Sequence, residues 1–156
     1  MKIKTRFNLL VIAVITQVYH MIEHVAQYIQ YEFYNIHNPH GLIPQFDTEE
    51  IHLIFAIFFF LLLASIAHNY YPKKVPVLLW MFRIGVVMQG YHMIEHIIRV
   101  VDHNVYGCEY CAGILGMFFN NIPLHFVMNW IVLIIPLVTF LLLPSLISLL
   151  SSDNEI

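Results

Sequence analysis

The stretch QVYHMIEH at residues 17–24 returns as QGYHMIEH at residues 89–96, and both copies lie within apolar runs of membrane length. Each copy carries two histidines and a glutamate, preceded by a glutamine and a tyrosine. Ionisable groups at bilayer depth are costly, so they point to function and call for named partners. Here the copies name each other. His20 recurs as His92, Glu23 as Glu95 and His24 as His96, all at one common offset along the chain. Gly41-Leu42 recurs as Gly113-Ile114 at the same offset, and His52 recurs as His125 one place beyond it. Asp47 and Asn120, five places before those last histidines, match in kind and suit helix N-caps. The unit is span, loop, span, used twice, with repeat one over 7–71 and repeat two over 76–146. Two spans per unit leave both copies in the same orientation, related by a pseudo-two-fold axis along the membrane normal.

Composition supports the same setting. Of 156 residues, 60% are hydrophobic and 11% charged, and the mean hydropathy is +0.73. A soluble domain of this size cannot hide so much apolar surface, and seven basic residues against ten acidic ones offer no nucleic-acid surface. Four spans can be marked, over 7–31, 49–70, 76–101 and 122–146, each long enough for a hydrocarbon core of about 30 Å. The expected fold is an all-α integral membrane protein, a four-transmembrane-helix bundle built from two tandem, parallel two-helix repeats. Lys2, Lys4 and Arg6 before the first apolar run imitate a signal peptide, but the run passes into the histidine motif with no small-residue cleavage site. It reads as a retained span. Lys73 and Lys74 join those three residues on one side, whereas loops 1–2 and 3–4 hold Glu32, Asp47, Asp102 and Glu109 and no lysine or arginine. The positive-inside bias puts both termini in the cytoplasm and the two longer loops outside. Cys108 and Cys111 form CEYC in the outer loop 3–4, where a disulfide is permitted. A loop staple or two free thiols stand ahead of redox chemistry.

On a helix at about 100° per residue, Glu23 sits about 60° to one side of His20 and His24 about 40° to the other. His92, Glu95 and His96 repeat that stripe, with Gln17 and Gln27 near the edges of the first copy. His24 lies about 26 Å from the cytoplasmic edge of span 1. His52, three residues into span 2 from the outer side, falls at nearly the same level, as His125 does with His96. The expected cluster is therefore His20, Glu23, His24, His52, His92, Glu95, His96 and His125. His68 reads as an interhelical hydrogen-bonding residue, and His37, His40 and His103 as solvated loop residues. Met21 and Met93 read as packing. Tyr19 and Tyr91 read as interface aromatics or as donors behind the cluster.

Imidazole with carboxylate suits iron, zinc, manganese or copper, and four-helix di-metal proteins place glutamates and histidines inward to bridge two ions. The expectation is two transition-metal ions, iron favoured and copper or zinc open, with His20, His24 and His52 on one and His92, His96 and His125 on the other. Glu23 and Glu95 would bridge, close the shell or act as catalytic bases. The HxxEH pattern is locally similar to the HxxHH histidine boxes of membrane desaturases and hydroxylases, and that resemblance implies non-haem di-iron chemistry. HxxEH also resembles the inverzincin signature, which implies two zinc-binding histidines and a glutamate base. The leading expectation is a membrane oxidoreductase with a small apolar molecule, quinol or oxygen as reactant, alone or as a subunit of a larger complex. The alternatives are a bis-histidine haem electron carrier, a metal-ion carrier or zinc hydrolase, and a merely structural polar network.

Overall fold

The computed structural model describes residues 3–69, 76–108 and 111–152. Four long helices account for most of them: α1 (Ile3–Tyr34), α2 (Glu49–Asn69), α3 (Pro76–Tyr106) and α4 (Asn121–Ser152). Single 3-10 turns at Pro44–Phe46 and Leu115–Met117 punctuate the two longer loops, and no strand occurs among the described residues. Lys2, Tyr70, Lys73, Lys74 and Glu109 lie outside the described residues.

The helix ends follow from local chemistry. Asn35 (φ 54°) and Gly107 (φ 68°) each adopt the left-handed conformation just past α1 and α3. The next amide then turns back onto the last turn, Ile36 N–H donating to Gln30 O and Cys108 N–H to Asp102 O. This is a Schellman stop, which asparagine or glycine tolerates best, and its two instances share the offset of the histidine motifs. Asn120 caps α4 through its Oδ1, which accepts from Ile122 N–H at 3.1 Å. Asp47 does not cap α2. Thr48 stands at that position, its Oγ1 3.4 Å from Ile51 N, because α2 begins at Glu49. Asp47 is freed for the site described below.

Among the described residues, three helical segments are long and apolar enough to cross a membrane: Phe7–Tyr34, Glu49–His68 and Asn121–Leu142. α3 covers the expected fourth span, 76–101, as a helix of sufficient length, and is not one of these three. α3 has 31 residues and brings Arg83, Gln89 and Arg99 together with the second HxxEH motif. The bundle compensates by enclosing that load, with Gln89, His92, Glu95, His96 and Arg99 all buried.

The helices do not pack as two hairpins. α2 packs chiefly on α3 and α1 chiefly on α4, while α1–α2 and α3–α4 touch less. Only residues 70–75 separate α2 from α3, whereas the α1–α2 and α3–α4 loops leave their helices freer to stand apart. The dry core lies toward the N-terminal ends of α1 and α3, where Leu10, Ala13, Phe59, Leu63, Phe82 and Val132 interlock. Association within lipid relies on such packing and on interhelical hydrogen bonds of about 0.6–2 kcal/mol each. Two bonds of that kind close the core's upper edge: Gln17 Nε2 donates to Asn129 Oδ1 at 3.0 Å, and Gln89 Nε2 to Ala56 O at 3.2 Å.

Candidate metal centre

Above those glutamines the interior turns to histidine. His20, His24 and His52 present one nitrogen each, all within 4.8 Å of one another, and His92, His96 and His125 do the same. Five of the six residues are buried and His52 is half-buried. Each group draws two histidines from one helix and the third from a helix that it packs against only lightly, so the rings stand in the gap. The groups also adjoin each other, with ring centroids 6.0 Å apart for His24 and His125 and 5.6 Å for His52 and His96. Six of the eight expected residues therefore form one cluster. His20 is backed by Phe55, stacked at 4.1 Å between centroids.

The hydrogen bonds orient the rings. His52 Nδ1 lies 2.9 Å from the Thr48 carbonyl, and His125 Nδ1 lies 3.2 Å from that of Asn121, each one turn back on its own helix. A carbonyl only accepts, so it favours Nδ1–H with Nε2 bare. That preference is unopposed at His52 but opposed at His125 by Arg99 Nη2, a pure donor 3.2 Å from the same Nδ1. His24 Nδ1 donates to Gln27 Oε1 at 2.8 Å and His96 Nδ1 to Glu49 Oε2 at 3.1 Å. Gln27 is held in that orientation because its Nε2 donates to Asp47 Oδ1. The Nε2 atoms of His20 and His24 face each other at 3.1 Å, and those of His92 and His96 at 3.3 Å. Two imidazoles on one first-row ion, each about 2.0–2.1 Å from it, stand about 2.9–3.4 Å apart for angles between about 90° and 109°. The observed separations fall in that window. His125 Nε2 is buried with no hydrogen-bond partner, and a cation would satisfy such a lone pair.

Glu23 and Glu95 are not among these groups. Glu95 accepts from Ile114 N–H at 2.7 Å, from Leu115 N–H at 2.9 Å and from the Tyr91 hydroxyl. Glu23 accepts from Leu42 N–H at 2.5 Å. Both carboxylates anchor the loops beside Gly41 and Gly113, where an added Cβ would overlap Glu23 Oε2 and Glu95 Oε2 respectively. In this arrangement both stand outside the two histidine groups instead of bridging them. The glutamates stand off to one side of the histidine stripe, which turns them toward their own loops, whose amides need acceptors.

Other carboxylates take the place at the cluster. Asp47 accepts from Gln27 Nε2 at 2.8 Å and Gly41 N–H at 2.7 Å, and its Oδ1 stands 3.6 Å from His52 Nε2. Glu49 joins His96 to Arg99, whose Nη1 lies 3.1 Å from Glu49 Oε1. With Asn121, these residues line a cavity of about 120 Å³ that reaches His24, His52, His96 and His125. A vestibule of about 670 Å³ shares Gln27, Asp47, Glu49, Arg99 and Asn121 with it and extends among the loops. Sequence reasoning passed over Glu49 and Arg99. The signal was there for Arg99, three residues after His96 as Gln27 is three after His24.

The remaining expectations divide. Met21 is buried and packs as expected, Tyr91 donates to the loop-anchoring Glu95 rather than to the histidines, and Tyr19 is exposed. His37 and His40 are exposed in their loop, but His103 lies in the last turn of α3, with Nδ1 2.8 Å from Cys108 O. His68 is exposed at the end of α2 rather than an interhelical linker. Cys108 and Cys111 are free thiols, Cys111 Sγ donating to Cys108 O, and burial pushes the Cys111 thiol up to about 12. No family model, no curated protein and no solved structure matches this chain.

Proposed function

We propose that the chain is a membrane-embedded metal protein in which duplicated HxxEH motifs, with one histidine from each following helix, hold a dinuclear transition-metal centre for redox or oxygen-activating chemistry. The observation that carries this reading is the pair of adjacent three-histidine groups, five of their six residues buried, with the nitrogens of each group within 4.8 Å of one another. Each imidazole trio leaves coordination positions free for a small reactant. With Glu23 and Glu95 on the loops, the donors are all imidazole. Iron and copper both accept that set and supply redox chemistry, whereas zinc would confine the centre to hydrolysis. Asp47 and Glu49 line the cavity and are the groups available to receive or deliver protons there.

Matched contacts support a tandem repeat, with a dyad running between His24–His125 and His52–His96. In this reading α3 is the fourth span, shielded from lipid on its polar face, with both termini cytoplasmic and the vestibule opening outward. Haem suits the site less well. The nitrogens pair along each helix rather than across the dyad, and a cavity of about 120 Å³ does not admit a porphyrin. Transport suits it less well too, because the apolar core fills the bundle on the far side of the cluster. Quinol or oxygen remains the reactant class.

The test is metal analysis with absorption and electron paramagnetic resonance spectra of the full chain purified in detergent from cells supplied with iron, copper and zinc. Two equivalents of iron or copper, without a Soret band, are expected, together with oxygen consumption when a quinol is added. A preparation with no metal would refute the reading and leave the cluster a structural polar seam. A single equivalent with an intense Soret band would refute it in favour of haem.

A further inference from the structure

The two histidine groups repeat each other, but the charges beside them do not. The Asp47 carboxylate next to the first group is held by two neutral donors, the Gln27 amide and the Gly41 N–H. Its other ionic neighbour is His40 at 3.8 Å, a side chain 67% exposed and screened by water. Beside the second group, Gln27 is replaced by Arg99, which is buried. The Arg99 guanidinium takes up the Glu49 carboxylate at 3.1 Å and sets its Nη2 3.2 Å from His125 Nδ1. The first position thus keeps a net negative neighbour, while the second has its carboxylate cancelled and a fixed cation against one of its rings. That guanidinium and the Asn121 carbonyl also make opposite demands on His125 Nδ1, which weakens the hold on a tautomer that leaves Nε2 bare.

We propose that Arg99 makes the two ion positions unequal. His20, His24 and His52 form the high-affinity position that fills first, and His92, His96 and His125 form a weaker one whose ion exchanges. The proposal rests on the metal reading above. Even at an effective dielectric constant of about 20, one unit charge a few ångströms from a divalent ion changes affinity by about tenfold or more. The surroundings differ by about one such charge. Arg99 is a specificity-determining residue in this scheme, not a ligand.

The experiment is a calorimetric titration of the full chain, stripped by chelator in detergent micelles, with cobalt(II) chloride. Two binding steps separated by about tenfold or more are expected. His52→Ala should remove the tight step and His125→Ala the weak one. Arg99→Gln, which restores the residue of the first repeat, should bring the steps within about threefold, while Arg99→Lys should keep them apart. Equal steps in the unmodified chain would overturn the proposal. So would an unchanged gap in Arg99→Gln, or loss of the tight step in His125→Ala. If Arg99→Gln lowers helix content by circular dichroism, Gln27→Arg decides instead: the tight step should weaken by about tenfold, and an unchanged tight step would overturn the proposal. An unmodified chain that binds no cobalt refutes the metal reading itself, and is thereby told apart from a failure of the asymmetry.

Discussion

In Glu95→Gln one carboxylate oxygen becomes an NH₂ group, and the three donors that converge on Glu95 no longer all find an acceptor. Ile114 N–H at 2.7 Å, Leu115 N–H at 2.9 Å and the Tyr91 hydroxyl are divided between the two oxygens. An amide keeps one oxygen and points its own donors at whichever partners it has displaced. Hydrogen bonds to a charged group are worth about 1.5–3 kcal/mol each, and a stranded buried donor costs about 1–3 kcal/mol. The expected destabilisation is about 3 kcal/mol. Glu23→Gln is the internal control. Its Oε2 serves Leu42 N–H while Oε1 has no hydrogen-bond partner. The new NH₂ can occupy the idle position, so about 1 kcal/mol is expected, chiefly for the lost charge. The assay is thermal unfolding in detergent followed by circular dichroism, with metal content measured on the same samples. Glu95→Gln should melt about 6–12 °C below the unmodified chain, Glu23→Gln should melt well above Glu95→Gln, and both should retain metal in whatever fraction folds. Equal losses of stability would refute the contact-by-contact reasoning. Full stability with loss of metal would return both glutamates to the coordination shell.

Gly113→Ala should be severe, because Gly113 has φ 67° and its new Cβ would overlap Glu95. A cost of about 2 kcal/mol or more is expected in the same melting assay. Gly41→Ala meets Glu23 without the positive φ and should cost less. His24→Ala or His96→Ala should remove metal and any redox activity together, whereas His68→Ala should leave metal content unchanged by mass spectrometry. Cys108 should react with iodoacetamide well before Cys111 at pH 8. Raising the Cys111 thiol to about 12 favours its protonated, unreactive form below that pH, and comparable rates would contradict that account. In a chain with Cys108→Ser and Cys111→Ser, Glu32→Cys should label from outside whole cells and Lys73→Cys only after permeabilisation. The reverse pattern would invert the topology.

The helical architecture and the division of the histidines were legible without coordinates. Both depend on short-range regularities: a helix puts residues three and four apart on one face, and a duplicated segment repeats its faces. The stripe on 20–24, its copy on 92–96 and the matched His52 and His125 were enough to name the two groups, which the tertiary structure then brings within ligand distance. The exchange of Gln27 for Arg99 was legible on the same grounds.

Where each side chain turns once it leaves its helix was not legible. A glutamate three places on from His20 can face the bundle axis or its own loop. Only the loop's course, which turns the amides of Leu42, Ile114 and Leu115 toward the carboxylates, decides for the loop. Asp47 looked like a helix cap until α2 was seen to begin two residues later, which leaves capping to Thr48 and sends Asp47 to the cluster. The pairing of α1 with α4 and α2 with α3 likewise depends on packing at a distance, to which helical periodicity is blind. That pairing holds the other two helix pairs slightly apart, and the room between them is where six imidazoles meet. Periodicity determined which residues share a face; only the fold decided what each face looks at, because that depends on neighbours brought from far along the chain.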